Sequence, residues 1–396
     1  MTDAAPGPLS DLRVVEMGQL IAGPFCGQLL GDMGADVVKI EPPGAGDPMR
    51  VWGQGVPVWW EVIARNKRSV SLHLRVPEGQ DLARRLIGEA DVLIENFKPG
   101  TLENWGLSPA ALMAANPRLI VVRMSGYGQS GPYSERAGFG GVAEAMGGWR
   151  RIVGDPDRPP SRMGVSIGDT LTATYGCMGV LAALHHREKT GRGQVIDAAL
   201  YESVLQVMEG LVAEYAAAGV VRQRSGAILP GIAPSNVYPC SDGEFMIAAN
   251  ADAVFRRLCE AMGRPELADD PRYKDHLSRG ANQAELDEIV AAWTRTRTVD
   301  HVEAAMLEAS VPGGRLFGPA DMVADPHFAA REAVLDVDHP KWPGLKMQGF
   351  FPKFSETPGR LRRLAPQSVG QDNGDVLGDL GLSASELDAL KGRGVI

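Results

Sequence analysis

One carboxylate, Asp169, stands where this sequence offers chemistry. It lies between Gly168 and Thr170 in the stretch "GVSIGDTLTATYGCMGVLAALHHREKTG", residues 164–191. Leu171, Ala173, Met178, Val180, Leu181, Ala182, Ala183 and Leu184 leave the run after it apolar nearly all round, which is the pattern of a buried helix. Gly191 and Gly193 are placed to end that helix. At its N-terminus, unpaired backbone N–H groups and the positive end of the dipole favour a carboxylate in its charged form. With glycine beside it, such a group is open to a substrate. Aspartate is also a favoured N-cap, and most aspartates so placed only cap. Spacing alone leaves both roles open.

Other candidate groups fall in loops. In "NFKPG", residues 96–100, Asn96 offers an amide to a purine edge, Phe97 a face for stacking and Lys98 a phosphate partner. The same five residues read equally as a strand-to-helix turn with a core phenylalanine. "RNKRS", residues 65–69, sets three cations within four residues, as a phosphate grip or a solvated turn. The glycine-rich "SGYGQSGPYSERAGF", residues 125–139, fits a mobile substrate cover or merely a long connection. Arg150, Arg151, Arg158 and Arg162 precede Asp169 and suit acidic ligands, or else pair with Asp155, Asp157 and Glu144. There is no Ser-His-Asp set, no GxSxG and no reactive-cysteine signature, which leaves carboxylates as the reactive groups. The seven histidines show no metal-ligand spacing, so no metal is expected; His185 and His186 sit near a helix C-terminus, where positive character is favoured.

The elements that must position these groups alternate. Strands are expected at 13–17, 35–41, 69–74, 91–95, 118–124 and 195–199, with helices at 25–33, 77–88, after Pro109 and from Tyr201 to about Ala218. Such alternation means an α/β fold with a parallel sheet covered on both faces. Ligands then bind in loops beyond the strand C-terminal ends, here 18–24, 41–47, 96–100 and 125–140. The first β-α-β unit lacks GxGxxG and the Gly-Lys-Ser/Thr ending of a P-loop, so neither NAD nor ATP is indicated. A strand at 245–250 and helices at about 251–262, 282–295 and 299–309 read as a smaller domain, 225–325. Residues 1–224 and 326–396 then form the large one. The tail holds short strands near 334–337 and 348–351 and a helix at 383–391.

The chain's 396 residues allow two domains. A net charge of −9 argues against a nucleic-acid or anionic-membrane partner. The N-terminus does not look like a secretory signal, and no uninterrupted apolar run reaches transmembrane length. Cys26, Cys177, Cys240 and Cys259 are far apart, as in a reduced, cytoplasmic protein.

Taken together, "AGPFCGQLLGDMGADVVKIEPPGAGD", "NKRSVSLHLRVPEG", "DVLIENFKPGTLENWG", "SGYGQSGPYSERAGF", "SIGDTLTATYG" and "KTGRGQVIDAALYES" span most of residues 10–205. With "VPGGRLFGPADMVADPHFAAR" and "FPKFSETPG" near the C-terminus, the chain resembles the family III CoA-transferases, the CaiB/BaiF group typified by formyl-CoA transferase and carnitine CoA-transferases. The resemblance implies a Rossmann-like large domain, a smaller α+β domain between its two parts, and an interlocked homodimer. It implies no permanently bound cofactor; coenzyme A enters as part of the acyl-CoA substrate, and free carboxylic acids are the other partners. Asp169 falls on the family's nucleophile. Matching positions place the CoA site at Ile21, Ala22, Leu72, His73, Leu74 and Arg75, with Asn96 and Phe97 flanking the adenine. Pro42 and Asn104 stand where some members carry arginine, so Lys98, Arg75 or Arg136 are left for the phosphates. Gln19, Phe139, Gly140 and Arg162 are the implied substrate contacts.

Within the same resemblance, 2-methylacyl-CoA racemases pair the matching aspartate with a histidine in "GHD". Here those positions are Phe139 and Gly140, so two-base proton exchange lacks a partner. The stretch around Asp169 looks most like succinyl-CoA-dependent members acting on malate, citramalate or glutarate. Formate or oxalate, carnitine and bile acids are the other acceptors of the family. From another class, a non-catalytic acyl-CoA-binding protein fits the same fold.

Overall fold

Five short apolar segments of the N-terminal half and a sixth at 195–199 make one sheet. The structure is a computed structural model and describes residues 6–396. The strands are β1 (Arg13–Glu16), β2 (Asp36–Glu41), β3 (Lys67–Ser71), β4 (Val92–Glu95), β5 (Ile120–Ser125) and β6 (Val195–Ala199). All pair in parallel, in the order β3-β2-β1-β4-β5-β6. Strands such as "DVVKIE" and "IVVRMS" are buried almost from end to end because both sheet faces are covered.

The covering helices are α1 (Ala22–Asp32), α2 (Pro77–Gly88), α3 (Pro109–Ala115), α4 (Gly140–Met146), α5 (Ile167–Thr190) and α6 (Leu200–Gln206). On one face Val14, Val37, Ile94, Val122 and Met124 meet Cys26 and Leu30 of α1 and Ala173, Cys177 and Val180 of α5. On the other, Val15, Val38, Val70, Leu93 and Val121 meet Leu82 and Leu86 of α2, and Val376, Leu377 and Leu390 from the C-terminal tail. Each such fully buried side chain contributes about 1.5–3 kcal/mol of transfer free energy.

Contacts divide the chain into two units. The first holds the chain up to Trp149, Met163–Gly210 and Ala330–Ile396. The second holds Arg150–Arg162 and Leu211–Ala329, so it begins earlier than residue 225 and takes in a stretch ahead of Asp169. Its own antiparallel sheet, β7 (Ser235–Pro239), β8 (Glu244–Ala248) and β9 (Gly313–Arg315), is backed by Phe255, Leu258, Leu286 and Val290.

Several local expectations shift. The single helix from Tyr201 to Ala218 is two, α6 and Leu211–Ala218, because Glu209 takes φ 52 and Gly210 follows it. β3 starts at Lys67, two residues early, because Lys67 and Arg68 have acidic partners and tolerate sheet positions. The tail strand expected at 348–351 is Leu345–Gln348, paired antiparallel with Val334–Val337 and ending where Gln348 meets Val334, the first residue of its partner. Helix α5 is long and apolar enough to cross a membrane, yet one side of it is packed on the sheet and α1. It is not buried all round: Met178 and Leu181 are 57% and 40% exposed.

Candidate active site

The sheet order reverses between β1 and β4, and the crevice at their carboxyl ends is where an open parallel sheet binds ligands. The β1 loop, residues 18–24, and the β4 loop, residues 96–100, form its two sides. Asp169 belongs to the same edge. A Cβ on Gly176 of α5 would fall 3.7 Å from Cys26 Sγ of α1, which puts those residues level. Asp169 lies seven residues before Gly176, about 10 Å toward the carboxyl edge at 1.5 Å per residue. The same rise puts the start of α1 about 6 Å above Cys26. Asp169 therefore stands at the height of the β1 loop.

Asp169 is not the cap of α5. The N-cap is Ser166, and Asp169 is the third helical residue, half-buried in the first turn. The Ser166 side chain makes no capping hydrogen bond, and the helix begins at Ile167, two residues ahead of the acid. Opposite the carboxylate is the backbone of Gly140, the first residue of α4. A Cβ on Gly140 would fall 2.2 Å from Asp169 Oδ2. The main chain of residue 140 can face the carboxylate this closely only because there is no side chain. Phe139, just before it, is 60% exposed.

A cavity of about 470 Å³ opens beside β1–β4 and is lined by Gln19, Leu72, His73, Leu74, Arg75 and Phe97, six of the expected residues, together with Trp105. Phe97 packs edge-on against Trp105 with ring centroids 5.1 Å apart. The chain terminus helps build the wall, since His73 N donates to Val395 O (2.8 Å). Lys98 is exposed on the β4 loop, whereas the Ala22 side chain is buried in the α1–α5 layer. Arg162 belongs to the second unit and is exposed there.

Three expected ligand contacts have other partners. Asn96 Oδ1 accepts from Gln19 N and its Nδ2 donates to Gln19 O, both at 2.8 Å, so both heteroatoms of its amide are engaged by the β1 loop. The cations of "RNKRS" are structural: Arg65 grips Asp32 at 2.6–3.1 Å, Lys67 is buried on Glu16, and Arg68 pairs with Asp36. The loop at 125–139 is pinned rather than loose. Gly126 and Gly138 meet backbone to backbone at its neck, Gln129 N donates to Asp197 Oδ2 (2.9 Å), and Tyr127 and Tyr133 pack together. Arg136 lies on this loop with its guanidinium over the Tyr133 ring, 3.6 Å from the centroid.

A buried ionic cluster beneath the β1 loop was not anticipated. Glu16 joins Lys39 (2.8 Å) and Lys67 (2.6 Å), and Lys39 also meets Asp47 (2.8 Å). All four side chains are buried. Burial alone would lower the Lys39 pKa, but Glu16, Asp47 and Glu41 outweigh it and hold the ammonium charged. For Lys67 burial prevails and its pKa is lowered. Burial would raise the Asp47 carboxyl, yet Lys39 and the N–H groups of Met49 and Leu20 bring it below the ordinary value. Glu41 is likewise lowered, with Arg50, Lys39 and Ser69 overcoming burial. The sequence signal for this cluster is a charge inside an apolar strand, Glu16 in "RVVE" and Lys39 in "DVVKIE". No group of three or more His, Cys, Asp or Glu that could hold a metal occurs among the described residues.

Comparison with known proteins gives these residues a context. Residues 9–373 match the profile of CoA-transferase family III. A succinyl-CoA–D-citramalate CoA-transferase of Chloroflexus aurantiacus is 52% identical over 397 residues, covering 99% of this chain and 98% of that protein. A succinate–glutarate CoA-transferase of Agrobacterium fabrum is 36% identical, covering 94% of this chain and 96% of that one. Among solved structures, a CaiB/BaiF family protein from Brucella suis superposes with a TM-score of 0.85 at 36% identity, covering 95% of this chain and 100% of that one. The chain therefore belongs to CoA-transferase family III and is a CoA-transferase.

Proposed function

We propose that this enzyme moves CoA from succinyl-CoA to a dicarboxylic acid of the citramalate, malate or glutarate type, with Asp169 as the nucleophile. The observation that carries the reading is the Asp169 carboxylate held against the bare backbone of Gly140 at the ligand-binding edge of the sheet. A carboxylate oxygen attacks the thioester carbonyl of the donor; the C–S bond breaks, leaving a succinyl-aspartyl anhydride and CoA thiolate. Thiolate then attacks the aspartyl carbonyl and succinate leaves, giving an aspartyl-CoA thioester. The acceptor carboxylate attacks that thioester and the two steps run in reverse, so atoms and charge balance without a redox partner. The first turn of α5 favours the charged form of the acid before attack. The 470 Å³ cavity takes CoA, its adenine against Phe97 as the apolar wall and its phosphates beside Arg75, with the Gln19 side of the cavity turned to the thioester end.

The test is transfer itself. Purified enzyme and succinyl-CoA are offered citramalate, malate, glutarate, mesaconate, oxalate and carnitine, and the product thioesters are identified by mass spectrometry. Transfer to one or more dicarboxylates supports the reading; transfer to none of them ends the substrate claim. During turnover the peptide holding Asp169 should carry a covalent adduct, and its persistent absence would overturn the nucleophile role.

Gly140→Ala tests the close approach. The methyl group must push the carboxylate aside, and a displacement near 1 Å costs about 100-fold in kcat. The KM for succinyl-CoA should stay within about threefold, because Gly140 is not part of the cavity wall. We also propose a homodimer. Met178 and Leu181 leave an apolar face of α5 exposed on the isolated chain, and a second copy would cover it. Sedimentation should give twice the chain mass; a monomeric mass at micromolar concentration overturns that proposal.

A further inference from the structure

We infer that Asn96 is a positioning residue that acts through Gln19, and that the Gln19 side-chain amide is what it delivers to the substrate. The inference rests on the transfer reaction proposed above. Side chains from outside the β1 loop hold it at Gly18, Gln19, Leu20 and Pro24. Lys39 Nζ donates to Gly18 O (2.7 Å), and Lys67 Nζ donates to Pro24 O (2.6 Å). Asp47 Oδ1 accepts from Leu20 N (3.1 Å), and Leu20 takes φ 63, a left-handed conformation that a leucine adopts only where its surroundings impose it. Between these anchors sits Gln19. Both of its backbone polar groups are taken by one side chain, the Asn96 amide, in a two-point bond from the neighbouring strand end.

That two-point bond fixes both the register and the tilt of the Gln19 peptide. No other side chain holds the Gln19 backbone. Its own side chain lines the 470 Å³ cavity and has no hydrogen-bond partner among the described residues. A rigidly mounted amide at the crevice, with donors and acceptor uncommitted, is suited to an acyl or carboxylate oxygen of the reacting acid. Both heteroatoms of the Asn96 amide are turned to the Gln19 peptide, one hydrogen bond each. Removing that amide should therefore act on the reacting step and not on CoA affinity.

The test combines Asn96→Ala, Asn96→Asp and Gln19→Ala in a double-mutant cycle. Kinetics are measured with succinyl-CoA and with the succinyl thioester of N-acetylcysteamine, which has no adenine nucleotide. Asn96→Ala should lower kcat by about 10- to 100-fold with either donor, and should leave the KM for succinyl-CoA within about threefold. In the Gln19→Ala background the same change should cost less than about twofold, because the group it positions is already gone. Asn96→Asp keeps the shape and the acceptor for Gln19 N–H and loses the donor to Gln19 O; it should fall between wild type and Asn96→Ala. It also serves if the alanine variant does not fold. Equal losses in both backgrounds overturn the inference, as does an effect confined to KM or one that disappears with the truncated donor. A wild type that transfers CoA while the cycle shows no coupling removes Asn96 alone and leaves the Asp169 chemistry standing. A wild type without transfer overturns the functional reading and this inference with it.

Discussion

Asp169→Ala should abolish CoA transfer, by at least about a thousandfold in kcat, while the protein stays folded and still binds acyl-CoA. The chemical part follows from covalent catalysis: without a carboxylate there is no anhydride and no aspartyl thioester, and CoA has no second route from succinate to the acceptor. The structural part follows from the position of the residue. Asp169 does not occupy the N-cap of α5; Ser166 does, so the substitution leaves that position unchanged. Asp169 is half-buried, with Gly140 against it, and alanine is smaller, so no overpacking results. The cavity walls at Gln19, Leu72, Arg75 and Phe97 do not include it. Titration calorimetry with CoA or succinyl-CoA should thus give an affinity within about threefold of wild type, with no labelled Asp169 peptide after turnover conditions. That pattern separates the transferase from a non-catalytic acyl-CoA-binding protein on this fold, in which the substitution changes nothing measurable. Residual transfer near the wild-type rate would remove Asp169 from the mechanism.

What could be read before the fold was known, and what could not, divides by the distance over which each interaction acts. The strands were legible because a sheet buried on both faces writes clusters of β-branched residues, Val37, Val38 and Ile40 in "DVVKIE" and Ile120, Val121 and Val122 in "IVVRMS". The crevice loops were legible because they follow those strands. The head of α5 was legible to within one turn, and the error was local: Ser166 and Asp169 are comparable caps three residues apart, and nothing in the sequence ranks them. The partners of the loop side chains were not legible. Asn96 reads as an outward amide until β1 and β4 are paired with Glu16 beside Ile94, which brings it to Gln19, 77 positions away in sequence. The cations of "RNKRS" read as a phosphate grip or a solvated turn until Asp32, Asp36 and Glu16, 32–51 positions away, are brought beside them. Charge in a short segment states what a residue can bind, and only register states what it does bind. Gly140 was implied as a substrate contact by resemblance alone; the close approach that explains it needs both helices in place.

Glu16→Gln should be the most destabilising conservative change in the large unit. Glu16 is fully buried and its two oxygens neutralise two buried lysines, one each. The space for it is made by Gly27 of α1, where a Cβ would fall 2.0 Å from Glu16 Oε2. Glutamine fills the same volume but carries no charge, and its amide nitrogen would point a donor at one of two ammonium groups. Lys39 would keep Asp47 and Gly18 O, whereas Lys67 would keep only Pro24 O. Lys67 already has a lowered pKa from burial, so losing its counter-charge should drive it toward the neutral amine. Breaking a buried pair from one side costs about 3–5 kcal/mol. At about 2–4 °C per kcal/mol, the thermal midpoint of the unit should fall by roughly 6–20 °C. Adding Lys67→Met removes the stranded amine and should return part of the loss, because an apolar side chain there has no charge to satisfy. The same pair of variants separates fold from function. Lys67 also holds Pro24 O, at the base of the β1 loop, so the double variant should recover thermal stability more fully than it recovers kcat. Parallel recovery of both would mean that the ionic cluster supports the sheet and does nothing specific for the loop.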